Sequence, residues 1–385
     1  MTDLKKNVPE LRFPEFSGEW EEKKLGEIVS FGKGKLLGKK DLTEDGKYLC
    51  ILYGELYTKY GAIINNIESR TNVDPSKLKK AENNQILIPS SGETVEDIAT
   101  ASAINVTEDV YIGGDLNILT PQKDDGRFIS LSLNSVNKWN VSRFAQGKTV
   151  VHLYNSDLKN LKINLPCQFE EQQKIGDFFS KLDHQIELEE QKLALLEEQK
   201  KGYMQKIFSQ ELRFKDENGE NYPEWEEQKL DNIANIGTGK SKVKNTGGNY
   251  DVLGSTGIIG KSNNYDYEGD FILIARVGHY AGSLYKYSGK VNITDNTIYL
   301  KSNIVLEFIY YSLKRYRISR LVFGSGQPLL KSSDIKQLKL FISGEKEQQK
   351  IGDFFSKLDR HIELQGKKIE LLKQRKQGFL QKMFV

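Results

Sequence analysis

The sequence predicts an α+β chain in which two mixed α/β domains alternate with two long helices as a pseudo-two-fold internal repeat. Three observations predict it. The thirteen residues EQQKIGDFFSKLD occur at 171–183 and again at 347–359. Around them, positions 171–208 and 347–384 share 24 identities in 38 and contain no proline. A separate duplication, WEEKKLGEIVSFGKGK at 20–35 and WEEQKLDNIANIGTGK at 225–240, opens each domain, and ELRF precedes both copies, at 10 and 211. The expected order is a domain over 1–166, a helix over 167–210, a domain over 211–344 and a helix over 345–385.

Within the domains the runs are short and β-type, bounded by Gly, Asn and Ser, which predicts many strands. Residues 36–143 carry ILYGELYTKYGAIINN and ILIPSSGETVEDIATAS, and 241–322 carry YDVLGSTGIIGKSNNY and FILIARVGHYAGSLYKY. These interiors differ, whereas the edges match. FAQGKTVVHLYNSDLKNLKINLP from 144 resembles FGSGQPLLKSSDIKQLKLFIS from 323. In each, a Gly-containing loop leads through an Asp-led turn to an alternating strand and then the helix. Tyr53, Tyr57, Tyr285 and Tyr287 are expected to pack on the sheets.

In the first helix Ile175, Phe179, Leu182, Ile186, Glu189, Leu193, Leu196, Lys200, Tyr203 and Ile207 alternate steps of four and three, a coiled-coil spacing. The second repeats it from Ile351 to Met383, and polar residues interrupt both stripes at Glu189/Gln365 and Lys200/Lys376. A helix of this size is roughly 57 Å long. A seam so long needs a partner, and the other copy is the obvious one. Two similar units tied by such a spacer could engage two sites at a set separation.

Composition narrows the function. The 385 residues are 38% apolar and 28% charged with a net charge of +3, so the chain as a whole is not a strongly basic polyanion binder. The charge is uneven, with 16 Lys and Arg against 8 Asp and Glu over 229–343, but 19 against 17 over 23–166. A basic globular segment fits phosphate contact. No stretch approaches the ~20 apolar residues of a membrane span. The opening MTDLKKNVPELRFPEF does not read as a signal peptide. Two cysteines, Cys50 and Cys167, suit a reducing cytoplasm better than a disulfide framework.

Catalytic patterns are missing. There is no Pro-Pro pair, so the Asn/Asp-Pro-Pro-aromatic motif of an adenine methyltransferase cannot be present. Gly239-Lys240-Ser241 ends like a phosphate loop, but the required glycine five positions earlier is Ala234. His152, His184, His279 and His361 have neither metal-ligand nor triad spacing. The chain therefore reads as non-catalytic.

The two EQQKIGDFFSKLD helices, the WEEKKL and WEEQKL domain starts, and the stretches ending LKNLKINLP and IKQLKLFIS together resemble the specificity subunit of Type I restriction-modification enzymes. The resemblance covers essentially the whole chain. It implies two target-recognition domains, each reading one part of a split double-stranded DNA target. It also implies two helical regions that pack antiparallel, set the spacer and hold two methyltransferase subunits, with restriction/translocase subunits joining through the methyltransferase. S-adenosylmethionine would then belong to the methyltransferase and ATP with Mg to the restriction subunit, leaving this chain without a cofactor. The second repeat reads FISGEKEQQ where the first has LKINLP, so its lead into the helix is expected to differ locally.

DNA recognition needs phosphate anchors and side chains that reach base edges. The candidates in the first domain are Lys33, Lys35, Ser90, Ser91, Thr94, Arg143, Lys148 and Thr149. In the second they are Lys240, Lys242, Ser255, Thr256, Arg276, His279, Tyr280, Ser325 and Gln327. Ser90-Ser91-Gly92 and Arg276-Val277-Gly278 each follow an apolar run and should occupy corresponding strand ends. Phe178 and Phe354, each beside a seam residue, are the candidates for partner docking. From a different class, a non-enzymatic coiled-coil scaffold joining two protein-binding modules would also explain the repeats, though not the basic bias of the second domain.

Overall fold

The structure is a computed structural model that describes residues 7–147, 150–242, 247–324, 326 and 328–385. The chain divides into two compact units, Met1–Glu189 with Lys368–Val385, and Glu190–Lys367. Both long helices form, over Phe169–Phe208 and Glu345–Lys382, and each is shared between the units. In each unit, the first half of one helix packs beside the second half of the other.

The pairing is antiparallel within each unit. In the first, Phe178 meets Phe379 at 5.1 Å between ring centroids, and Asp183, further along, meets Lys376, further back. In the second, Tyr203 meets Phe354 at 5.2 Å and Lys200 meets Asp359. The polar interruptions of the stripes are thus matched: each seam lysine ends on the aspartate of the KLD in the other copy. Tyr203, assigned to the stripe, is 40% exposed, while Met204 packs on the core. A 3.6-residue turn drifts off a strict 3.5 repeat.

The repeated EQQ at each helix start is a latch. Glu171 is buried and accepts from Arg12 Nε and Nη2, both at 2.7 Å, and from Trp20 Nε1 at 3.4 Å. Glu347 does the same with Arg213 (3.2 and 2.9 Å) and Trp225 (2.9 Å). A buried carboxylate is tolerable only when so paired, and the forked guanidinium is the geometry that pairs it best. This accounts for the ELRF lead-ins and the domain-opening tryptophans. Gln172 bonds Asp125 N and Pro166 O, and Gln348 bonds Val305 N and Ser343 O. The FISG departure therefore keeps the same side-chain bond.

Behind the latch lies the same aromatic nest in each unit. Trp20, Phe128 and Phe179 gather around Phe384 from the other helix's end. Trp225, Phe308 and Phe355 gather around Phe208. The helices Gly126–Asn134 and Leu306–Tyr316 supply Phe128 and Phe308, and they cross the long helices at Gly176 and Gly352.

Three antiparallel strands are common to both units. The order is Val29–Lys33, Leu116–Pro121, Ile86–Pro89 in the first, and Ala234–Thr238, Thr297–Ser302, Tyr267–Ala275 in the second. Beyond them the units diverge. The first adds Ser102–Ile104 and Ile63–Ile64, with a separate four-stranded sheet holding Tyr48–Ile51 and Val110–Ile112. The second adds the long Leu284–Ile293 and the hairpin Tyr250–Gly254/Gly257–Ser262. Tyr285 and Tyr287 pack on this sheet as expected, donating to Gly254 O and Asp251. Tyr53 instead lies exposed in a turn.

Candidate nucleic-acid interface

In the first unit the ends of the common strands converge. Gly34 N bonds Leu116 O and Lys35 N bonds Ile112 O, which seats exposed Lys33 and Lys35 against the Gly113–Asp115 turn. A side chain at Gly34 would lie 1.7 Å from Gly113 O, so only glycine permits this approach. Ser90 N bonds Asp115 O at 2.8 Å, and Ser90 O accepts from Leu153 N. Ser91 pairs with His152 in the two-stranded ladder Ser91–Gly92/Val151–His152. Lys33, Lys35, Ser90 and Ser91 are thus brought together. Asp115, His152 and Tyr154 join them, and sequence reasoning missed these three. The His152 and Tyr154 rings stack at 6.2 Å, with Tyr154 45% exposed.

Two candidates fall elsewhere in their roles. The Thr94 hydroxyl oxygen accepts from Asp97 N and caps the turn Val95–Ile98. Arg143 is not brought to the cluster; it is exposed at a cavity shared with Asn140, Lys162 and Val385. Lys148, Thr149, Ser325 and Gln327 lie outside the described residues.

In the second unit the turn Thr294–Asn296 is the focus. Arg276 N bonds Asn296 O at 2.9 Å and Arg276 Nη1 bonds Asp295 O at 3.0 Å. Ser255 Oγ donates to Asn296 O, with exposed Thr256 beside it. Lys240 and Lys242 line a 620 Å³ cavity with Asp295, Asn296 and Ile259. His279 and Tyr280 stand exposed on the next loop with rings 5.1 Å apart. Exposed Ile258 and Ile259 at the adjacent hairpin were not singled out from sequence, because nothing in an alternating run shows which end reaches solvent.

The two clusters share one backbone pattern. Gly34 N to Leu116 O recurs as Gly239 N to Thr297 O. Ser90 N to Asp115 O recurs as Arg276 N to Asn296 O, and Leu153 N to Ser90 O as Leu330 N to Arg276 O. Ser90 and Arg276 therefore occupy the same place, one presenting a hydroxyl and the other a guanidinium.

Phe178 and Phe354 are half-buried among intramolecular rings, Phe13, Phe179 and Phe379 for the one and Tyr203, Phe214 and Phe355 for the other. Four helix leucines are more open. Leu188 and Leu371 of the first unit are 49% and 57% exposed, and Leu195 and Leu364 of the second are 54% and 51% exposed. Among the described residues no three His, Cys, Asp or Glu are placed to hold a metal ion, and no helix is long and apolar enough to cross a membrane.

The family model of the Type I restriction modification DNA specificity domain matches twice, at residues 17–198 and 222–374. The Type I restriction enzyme MjaVIII specificity subunit of Methanocaldococcus jannaschii is 23% identical, over 97% of this chain and 93% of its own. The crystal structure of a Type I restriction-modification system S subunit from M. genitalium superposes with a TM-score of 0.71 at 20% identity, covering 98% and 99% of the two chains. A chain from a structural study of type I R-M complex assembly and conformational transition superposes with a TM-score of 0.51 at 14% identity, covering 96% and 98%.

Proposed function

The chain belongs to the Type I restriction modification DNA specificity family, and on that premise we propose that its two units read the two parts of an asymmetric, split DNA target. One observation carries this reading: a common frame of strand ends presents different side chains at equivalent places. Ser90 stands where Arg276 stands, Lys35 stands where Lys240 stands, and Lys33 stands where Thr238 stands. Lysines beside such a turn suit phosphates, and Arg276 can fork onto guanine O6 and N7. Ile258 and Ile259 offer apolar contact of the kind thymine methyls accept. The chain selects sequence and leaves the chemistry to its partners.

In this reading the long helices hold the units at a set spacing and dock two adenine methyltransferase subunits. These bring S-adenosylmethionine, and restriction/translocase subunits, with ATP and Mg, join through them in the cytoplasm. A scaffold joining two protein-binding modules would account for the helices but not for the lysine and arginine excess around the second set of strand ends. The test is co-expression with a cognate methyltransferase subunit and genome-wide mapping of N6-methyladenine against the methyltransferase alone. A split motif that appears only with this chain is the expected result. A stable complex that adds no methylation overturns the reading.

A further inference from the structure

The basic excess of residues 229–343 is only partly placed around Asp295. Lys314, Arg315, Arg317 and Arg320 come from seven consecutive positions, at the end of the helix Leu306–Tyr316 and in the following turn Ile318–Leu321. With Lys201 they line a cavity of 480 Å³ in which, among the described residues, Glu197 is the one lining carboxylate. Lys200 lines it too, but its ammonium is held by Asp359. Lys201, Arg315, Arg317 and Arg320 are exposed, and none has a carboxylate oxygen within 4 Å among the described residues.

Nothing in the fold requires this crowding. Phe308-Ile309 corresponds to Phe128-Ile129 of the first unit, which puts Asn134, Ser135 and Asn137 where Lys314, Arg315 and Arg317 stand. There Asn134 bonds Ala101 O, and Lys138 is the one charged residue of positions 134–140, against four cations in 314–320. Arg317 adopts φ +58 to end its helix, a conformation in which glycine is the relaxed choice. Like charges gathered on one wall repel one another until a counter-charge is supplied.

The turn also has a definite neighbour. Gly282, at φ +87, lies against it so closely that a Cβ there would be 2.8 Å from Ser319 Cα. Gly282 closes the loop that begins at Arg276 and carries His279 and Tyr280. The cationic wall is thereby continuous, through backbone packing, with the loop assigned to base reading.

We propose that this cavity seats backbone phosphates of the DNA beside the second part of the target, adding affinity without sequence preference. The proposal rests on the DNA-reading function of the second unit. It makes the second unit the electrostatic anchor, with no equivalent wall on the corresponding helix end of the first.

The test uses the full chain co-purified with its methyltransferase, binding duplexes with the mapped target or a scrambled sequence across a salt series. In the R315Q/R317N/R320Q variant, where Asn tolerates the left-handed backbone, the slope of log K against log salt should shrink by about 0.9 for each phosphate no longer neutralised, about 2 to 3 in all. The loss of affinity should be equal on both duplexes, and the methylated motif unchanged. Lys201→Gln, on a different element, should lower the slope by about 0.9, and it decides the matter if the triple variant misfolds. An unchanged slope with the motif intact overturns the proposal. So does a loss of methyltransferase co-purification while the assembled fraction keeps the wild-type slope, which would mark an acidic protein surface as the occupant. Failure of the underlying reading looks different: the unaltered protein would not distinguish target from scrambled DNA.

Discussion

Lys376 reaches Asp183 at 2.5 Å across the helix pair of the first unit, each side chain 21% exposed, and Lys200 repeats the pairing with Asp359 in the second. Burial holds the Asp183 carboxyl above its usual range, and Lys376 pulls it back down. An acid whose folded pKa is raised holds its proton more tightly in the fold than in the unfolded chain. Its favourable contribution is therefore present below the unfolded carboxylate range and lost as pH rises through the folded value. Lys376→Met removes the counter-charge and should destabilise by about 2 kcal/mol at pH 8 but clearly less near pH 4.5. The double change D183L/K376L should stay within about 1 kcal/mol of the parent. Thermal unfolding across pH checks both. Equal loss of stability from Lys376→Met at both pH values would sink the electrostatic account.

Gly176 and Gly352 are equivalent in sequence but not in surroundings. A Cβ at Gly352 would lie 2.7 Å from Glu307 Cβ, close to the backbone, whereas one at Gly176 meets nothing nearer than Arg127 Nε at 3.0 Å and Arg127 Cβ at 3.2 Å, a milder crowding that the helix-propensity gain can offset. Alanine gains about 1 kcal/mol in a helix interior. Gly176→Ala should thus be near neutral, and Gly352→Ala should cost about 1–3 kcal/mol through overpacking. Denaturant unfolding of the two variants compares them directly, and equal effects would contradict the packing argument.

Arg276→Ala should relax the methylated motif in one part only. Its guanidinium bonds Asp295 O on the turn beside Lys240 and Lys242, and its backbone bonds, which hold the strand end, survive the substitution. About 1–3 kcal/mol of discrimination at one base is at stake. Methylation mapping reads the outcome, and equal relaxation of both parts would mean that Arg276 is structural.

Leu188→Ser with Leu371→Ser should weaken methyltransferase co-purification while leaving thermal stability within about 0.5 kcal/mol, because both side chains are already about half in water. Phe178→Ala, by contrast, should unfold before it undocks, since three rings pack on it. Co-purification at wild-type yield with both leucines changed would move the docking face elsewhere.

Much of this molecule is legible in the order of its residues. An apolar stripe at helical spacing, written twice and free of proline, forces two long helices, since no other conformation buries it on one side. The apolar runs before Ser90 and Arg276 end at the same place on the shared strands, as their position in the repeat implied. The duplicated domain-opening stretches 20–35 and 225–240 form a strand, a helical turn and a second strand in both units.

Other features depend on distance in space. Arg12 finds Glu171 across 159 positions. Phe384 completes a core begun by Trp20. The Asp115 and Asp295 turns become foci only when strands from separate stretches align beside them. Phe178 looks like an outward ring until Phe13 and Phe379 close over it. By itself the sequence determined the repeat, the helices and the kinds of residue at the strand ends, because periodicity and local propensity act over a few residues. Only the tertiary structure decided which half-helix packs with which, which charges are paired and which cations share a wall. Burial and Coulomb energies depend on separation in space, and a linear order does not record it.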